Sequence, residues 1–558
     1  MKHKRILLFF MMFFLFVPAD GPISASTGLQ TATSSTLQWT TTLDNGMKIV
    51  IIEDHSSPLA ACIINIRAGS HTETLPINGI SHLLEHLLFD GTTTYSATGL
   101  RDAVESQGGY INAYTRKDCV SFELVMPATA FMDGLAIQAD QLLNSTIPET
   151  ELARERQVVC EEIATDIRDA SAAADAELWK TIFGPIGYGL PVIGNYQTVT
   201  DVSRERIVAF YSSRYIPSRM TAVVIGDVEP HSVLNRLRLL YGGIAPGLEH
   251  AGPGSNPRFP SEGLRSVVER PVDDRFVILA FPAPAPDDPA FLPFRIAVDL
   301  WAGSPDSPFQ QALDSLAIRP SAYVSPHTGF SLLQLSLSPS ADRPDTDQYL
   351  ADIESAVVTS IRTFLQQSPT DDALMRRVKQ ERVDRAFACE KFHHLAREIG
   401  EHAAMGSLEA FWNLDRALDA LTPEAVMNPF RTWVGDRQPV SVMVIPSGTD
   451  ASVGERIDST QLRELSNGLT VIARFDPYAD MTTIHLLTPN PGTAPPGIPR
   501  MVADMLDGGT VTMPAAELRT TLDRHGIRLK LADWAWLPFD DYYDSTEYNY
   551  LRMECLSG

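Results

Sequence analysis

The chain repeats itself, and that repetition limits what it can fold into more than any other feature. Leu43-Asp44-Asn45-Gly46-Met47-Lys48-Ile49-Val50 returns as Leu465-Ser466-Asn467-Gly468-Leu469-Thr470-Val471-Ile472. Gly79-Ile80-Ser81-His82-Leu83-Leu84-Glu85-His86-Leu87-Leu88-Phe89-Asp90-Gly91-Thr92 returns without a gap as Gly497-Ile498-Pro499-Arg500-Met501-Val502-Ala503-Asp504-Met505-Leu506-Asp507-Gly508-Gly509-Thr510. At the same offset Leu518-Arg519 answers Leu100-Arg101, and Gly526 answers Gly108. A unit used twice predicts similar domains in series, and 558 residues exceed what one core holds in any case. The apolar pattern survives in the second copy, but Arg500, Ala503 and Asp504 stand where the first has His82, Glu85 and His86. The second copy therefore keeps a fold and loses a chemistry.

That chemistry is legible in the first copy. On a helix, positions i and i+4 share a face, so His82 and His86 can grip one metal ion, with Glu85 able to reach a water beside it. Leu83, Leu84, Leu87 and Leu88 would bury the other faces. Two imidazoles, a carboxylate base and a dry surrounding are what a zinc hydrolase needs. A third ligand is sought on the helix predicted over 148–168. There Glu155 and Glu162 lie two turns apart on one face, whereas Glu161 points about 100° away. Helix phase puts Glu162 ahead of Glu161. His394, Glu398 and His402, spaced four apart, could also bind a metal, but nothing supplies them with a pocket or a base, and an exposed helix face is expected.

The pattern along the chain predicts strands at 47–52, 62–66, 110–114, 120–126 and 221–227. Helices are predicted at 82–89, 98–107, 130–144 and 148–168, the second stopped by Gly108-Gly109. Strands and helices mix without regular βαβ alternation, which predicts an α+β class. Gly and Pro between Gly243 and Gly263 mark a linker. A second α+β unit follows, with strands at 276–281, 332–337 and 442–445 and long helices at 352–367 and 371–405. A further join spans 447–454. The expected domains are 1–25 as a signal peptide, 30–245 with the metal site, 262–448 as a second unit without one, and 457–558 as a third.

Lys2, Lys4 and Arg5, an apolar run from Ile6 to Val17, and small residues around Ser24-Ala25-Ser26 have the form of a secretory signal. The run is shorter than the roughly 20 residues a membrane span needs; a retained N-terminal anchor is the competing reading. No membrane span is expected in the mature chain, and export to a bacterial periplasm or envelope is. A net charge of −24 argues against nucleic acid as a partner. Five scattered cysteines form no disulfide framework and no C-x-x-C pair.

His82-Leu83-Leu84-Glu85-His86 has the inverted H-x-x-E-H order of the inverzincins. With Asn112-Ala113-Tyr114-Thr115, Glu155-Arg156-Gln157-Val158-Val159 and Glu162, the sequence resembles the pitrilysin, insulin-degrading enzyme and mitochondrial processing peptidase family. The resemblance runs on through Tyr211, Tyr215, Pro217 and Gly226-Asp227. It covers the first domain, while the second matches only in general pattern. It implies repeated pitrilysin-like domains, each a mixed, mostly antiparallel sheet packed against helices. It further implies one Zn2+ per chain held by His82, His86 and Glu162, with Glu85 as the base that activates water. Glu155 would be a supporting glutamate near the metal. Asn112 and Ala113 would lie on an edge strand to which a peptide substrate adds. The implied function is a zinc endopeptidase. Family members resemble a clamshell whose far half supplies an Arg and Tyr pair, and here that pair would fall beyond Gly558. The expectation is therefore a truncated third domain and impaired cleavage unless a partner chain completes the clamshell. The alternative is a non-catalytic scaffold or substrate-holding member.

Overall fold

The computed structural model describes residues 38–247 and 257–447, apart from 261, 273, 305–306, 317, 340–346 and 390, together with parts of 461–556. The predicted signal segment and most of the degenerate copy at 497–510 lie outside the described residues. Two compact units divide near residue 448.

The first unit holds two sheets. Its first sheet runs β1 (Gln38–Thr42), β2 (Lys48–Glu53), β6 (Met220–Gly226), β3 (Leu59–Ile66), β5 (Val120–Pro127) and β4 (Tyr110–Thr115), in that spatial order. Only the β2–β6 pair is parallel. The helices threaded through it are α1 (Ile80–Leu87), α2 (Gly99–Glu105), α3 (Phe131–Leu143), α4 (Glu149–Asp166), α5 (Ala170–Phe183), α6 (Tyr196–Asp201), α7 (Arg204–Arg214) and α8 (Pro230–Tyr241). The α+β class and the mixed, mostly antiparallel sheet are as the sequence predicts.

Strand alternation sends successive side chains to opposite faces. Ile49, Ile51, Ile64 and Val224 join Leu83, Leu84 and Leu87 of α1 in one core. Val50, Ile52, Ile63, Val223 and Ile225 meet Ala396 and Ile399 on the other face. Those two residues belong to the second domain, whose helix crosses the back of the first sheet. Gly400 makes that approach possible: a Cβ there would lie 1.7 Å from Asn65 Nδ2 on β3.

The second sheet runs β7 (Leu264–Arg270), β11 (Val440–Pro446), β8 (Phe276–Ala283), β10 (Phe330–Pro339) and β9 (Ile318–His327). Again one pair, β7–β11, is parallel and the rest antiparallel. This is the plan of the first sheet without β1, so the edge strand β9 answers β4. Its helices are α9 (Phe291–Ala302), α10 (Pro308–Asp314), α11 (Asp347–Gln366), α12 (Asp371–Cys389), α13 (Phe392–Met405), α14 (Leu408–Trp412), α15 (Leu414–Asp419) and α16 (Pro423–Val434).

One element departs from expectation. The single helix predicted over 371–405 is two, because Lys391 is extended (φ −104°, ψ 109°) and starts a new helix. Past the break, Ala396 and Ile399 pack on the first sheet.

In the second unit, β12 (Gln461–Glu464) pairs with β13 (Thr470–Ala473), and β14 (Met481–Pro489), β16 (Tyr548–Leu556) and β15 (Arg528–Lys530) form a sheet beside a helix at Ala515–Arg524. The repeated turn is recognisable: Leu465 N–H donates to Leu469 O at 2.8 Å, as Leu43 N–H does to Met47 O at 2.9 Å. No helix among the described residues is long and apolar enough to cross a membrane.

Candidate metal centre

Helix α1 is pinned at its start. Gly79 has φ +90°, and a Cβ there would sit 2.8 Å from Gly194 Cα, so both conformation and space demand glycine. The fully buried Glu73 caps the helix. Its Oε2 accepts from Gly79 N–H (2.8 Å) and Asn78 Nδ2 (2.9 Å), and its Oε1 accepts from Ser81 N–H (2.9 Å). Burial pushes this carboxyl up, against the donors that hold its charged form. Carboxylates favour helix N-termini, where backbone N–H groups lack partners. Leu83, Leu84, Leu87 and Leu88 are fully buried as predicted, which leaves His82, Glu85 and His86 on the remaining face.

That face meets α4. Leu152, Val159 and Ile163 bury α4 in the same core, so its phase turns Glu155 and Glu162 towards α1, while Glu161 is exposed. Glu162 Oε2 lies 3.7 Å from His82 Nε2 and 3.8 Å from His86 Nε2. Ligands about 2.0–2.2 Å from a tetrahedral zinc are about 3.3–3.5 Å apart, so the two Glu162 contacts are a few tenths of an ångström long for shared ligands, and the three ligand atoms lie within 4.8 Å of one another. Among the described residues, this is the one group of three or more His, Cys, Asp or Glu side chains close enough to share an ion.

The surroundings prepare the two imidazoles differently. His86 Nδ1–H donates to Glu155 Oε2 at 2.8 Å, which fixes the tautomer and leaves Nε2 free to ligate. Glu155 is buried and held in turn by Arg154 (3.0 Å), which also binds Asp90 (2.6 Å). Burial pulls His86 down, but the Glu155, Glu162 and Glu85 carboxylates outweigh it and leave the ring raised. Burial, with His86 beside it, pushes His82 down to about 3, so it is neutral near pH 7 with a lone pair to offer. Its Nδ1 is buried and has no hydrogen-bond partner among the described residues. Two imidazole nitrogens converging on a carboxylate, in a crevice rich in negative charge, fit a zinc-type cation.

Glu85, the expected base, is raised by burial, while Thr115 and His86 pull the other way. Thr115 Oγ1 donates to its Oε2 at 2.5 Å. Thr115 ends β4, the strand that carries Asn112 and Ala113 and whose sole sheet neighbour among the described residues is β5. The fold thus brings His82, Glu85, His86, Glu155 and Glu162 together, and links Asn112 and Ala113 to them through their own strand. The Thr115–Glu85 bond and the Glu73 cap are additions to the sequence reading. Thr115 stands within the quoted Asn112–Thr115 motif, whereas nothing local marks Glu73.

The face of His394, Glu398 and His402 is not an exposed one, which corrects the sequence expectation. All three are half-buried. His402 Nδ1 lies 2.8 Å from Ser407 Oγ, and its ring packs on Phe411. Burial of α13 against the first sheet accounts for the difference.

Comparison with known proteins places the chain in one family. The family model for insulinase (peptidase family M16) matches residues 48–190, and that for the peptidase M16 inactive domain matches 201–381. The chain belongs to peptidase family M16. An uncharacterized zinc protease of Streptomyces coelicolor is 27% identical over 423 residues, 72% of this chain and 88% of that protein. The probable mitochondrial-processing peptidase subunit beta of Schizosaccharomyces pombe is 28% identical over 231 residues, 41% of this chain and 50% of that protein. The crystal structure of a protease from Helicobacter pylori superposes with a TM-score of 0.68 at 19% identity, over 74% of this chain and all of that one. That likeness shows the fold alone. The M16 matches divide the first unit into an active-type part that contains α1 and α4 and an inactive-type part.

Proposed function

We propose that the protein is a zinc-dependent endopeptidase acting on peptides or small unfolded proteins. The observation that carries this reading is the convergence of His82, His86 and Glu162 beside a Glu85 carboxylate held by Thr115. His82 and His86 Nε2 and a Glu162 oxygen would hold the ion. When bound, the ion supplies Lewis acidity, which polarises a carbonyl and acidifies water. Glu85 takes a proton from the attacking water and delivers it to the departing amine, its Oε1 free while Thr115 holds Oε2. Glu155 keeps His86 in the ligating tautomer. Backbone groups of β4 around Asn112 and Ala113 receive the substrate as an added strand, so recognition reads main chain more than side chains.

The experiment pairs elemental analysis for zinc with an internally quenched peptide, on wild type and Glu85→Gln. One zinc per chain in both, with cleavage in wild type alone, is the expected result. Equal cleavage by Glu85→Gln would sink the assignment of the base, and zinc without any cleavage would favour a substrate-holding member of the family. Export to the periplasm is part of the proposal and rests on the basic and apolar residues of 1–17. Fractionation and N-terminal sequencing of the mature chain test it.

A further inference from the structure

The turn that joins β4 to β5 is gripped by the second domain. Asp118 Oδ2 accepts from His327 Nδ1–H at 2.6 Å, and its Oδ1 accepts from Thr328 N–H (3.0 Å) and Tyr188 O–H (2.6 Å). His327 and Thr328 lie at the end of β9, the edge strand that answers β4. From α13, Glu401 pairs with Arg116 at 3.0 Å, and Arg397 pairs with Glu123 at 3.3 Å while its guanidinium stands 5.5 Å from the Tyr114 ring centre. Asp118, His327 and Glu123 are all buried. Directly before this turn comes Thr115, which holds Glu85, at the end of β4, the last strand in the sheet order.

We propose that the second domain sets the position of the substrate-receiving strand, with His327 as the positioning residue that holds the β4–β5 turn through Asp118. The inference rests on the peptidase reading for what the strand receives, and on geometry alone for the grip. A domain without metal ligands then acts on the reaction by fixing two things at once: the edge on which a peptide pairs, and the hydroxyl that orients the base. Small displacements matter here, because misplacing reacting groups by about 1 Å can cost 10²-fold in rate. Burial alone would push the Asp118 carboxyl up, but the His327 hydrogen bond, with His71 and Tyr188 behind it, outweighs burial and holds it well below the usual carboxylate range.

Ser325 Oγ lies 2.9 Å from His327 Nε2, so Ser325, His327 and Asp118 also have the order of a nucleophilic triad. Packing speaks for a lock instead. Phe330 stacks on the His327 ring at 5.2 Å, Trp179 meets it edge-on at 4.9 Å, and the Thr328 N–H and Tyr188 O–H nearby are spent on Asp118.

The test uses the full zinc-loaded chain and hydrogen–deuterium exchange over residues 110–120. His327→Leu removes the donor, and His327→Asn returns an amide nitrogen near the place of Nδ1. In His327→Leu, exchange in this segment should rise about tenfold or more. Zinc content should hold, and KM for a quenched peptide should rise more than kcat falls. His327→Asn should recover most of both. Arg116→Gln, at an exposed site that a fold tolerates, should loosen the same segment by less. Unchanged exchange at 110–120 in His327→Leu and Arg116→Gln, or labelling of Ser325 by a fluorophosphonate, would overturn the proposal. A wild type that binds zinc and never cleaves would overturn the peptidase reading while leaving the exchange result to decide the grip.

Discussion

The first and second domains share one plan and solve the same junction in opposite ways. Helix α9 follows β8 as α1 follows β3, and it packs on α12 as α1 packs on α4. On α1, residues four apart are His82 and His86; on α9 they are Arg295 and Asp299. Opposite them, α4 brings Glu155 and Glu162, and α12 brings Arg377 and Glu381. In the second domain the charges close on themselves: Arg377 binds Asp299 at 3.0 Å and Glu381 at 2.6 Å, and Arg295 also binds Glu381. In the first, Arg154 answers Asp90 and Glu155, but Glu85 and Glu162 face imidazoles and, among the described residues, pair with no lysine or arginine. The difference teaches that a junction proposed to hold a metal is one left electrically unfinished. Carboxylates without a cationic partner are what a divalent cation can neutralise, whereas in the second domain each carboxylate of the junction is already held by an arginine.

The comparison breaks hardest at the base. Glu85→Gln should keep the metal and lower peptide cleavage by about 10²–10⁴-fold, the usual worth of a positioned general base; zinc content and initial rates measure it. Next in size, Arg377→Met should leave Glu381 and Asp299 short of a partner and destabilise the second domain by about 3 kcal/mol. Chemical denaturation reads that loss, and zinc content should not move. A smaller effect is expected of Glu155→Gln. It keeps the shape and weakens the hold on His86, so zinc affinity should fall about 10–100-fold, read by competition with a chelator. If Arg377→Met released zinc, or Glu155→Gln left affinity untouched, the two junctions would not be the opposites described.

Much of the first junction is legible in sequence because it is local. The leucines of α1 mark its buried face, the spacing of His82 and His86 marks its ligand face, and the phase of α4 separates Glu162 from Glu161. The second junction is not, because nothing in Arg295, Asp299, Arg377 and Glu381 marks them as the counterpart of a metal site. Their equivalence lies in strand order, which two long stretches of chain reveal only once paired. Distance hides the rest. Asp118 and His327 are 209 residues apart, and no pattern near either names the other. The pair of Ala396 and Ile399 is readable as apolar, but it is short and gives a weak signal. What it packs against, the back of another domain's sheet, is a tertiary fact. The histidines along that helix read as surface for the same reason.

Those histidines give the finest test of the comparison. His402 and His82 are both held neutral by burial, one against Phe411 and the other in the ligand crevice. Burial pushes His402 down to about 4, with Arg385 and Arg295 adding to the effect. A histidine whose folded pKa lies below its unfolded value near 6.5 binds its proton more readily in the unfolded chain. Its contribution to stability is therefore complete above about pH 6.5 and is lost as pH falls from there towards 4. By pH 5.5 the loss should be on the order of 1 kcal/mol. His402→Gln should remove that part of the acid sensitivity, so the variant's stability should fall less than wild type's between pH 7 and pH 5.5 in thermal or denaturant unfolding. Because His402 takes no part in the ligand set, the difference between variant and wild type should be the same with zinc and without it. A zinc-dependent difference would mean that the two helices share more than their spacing of histidines.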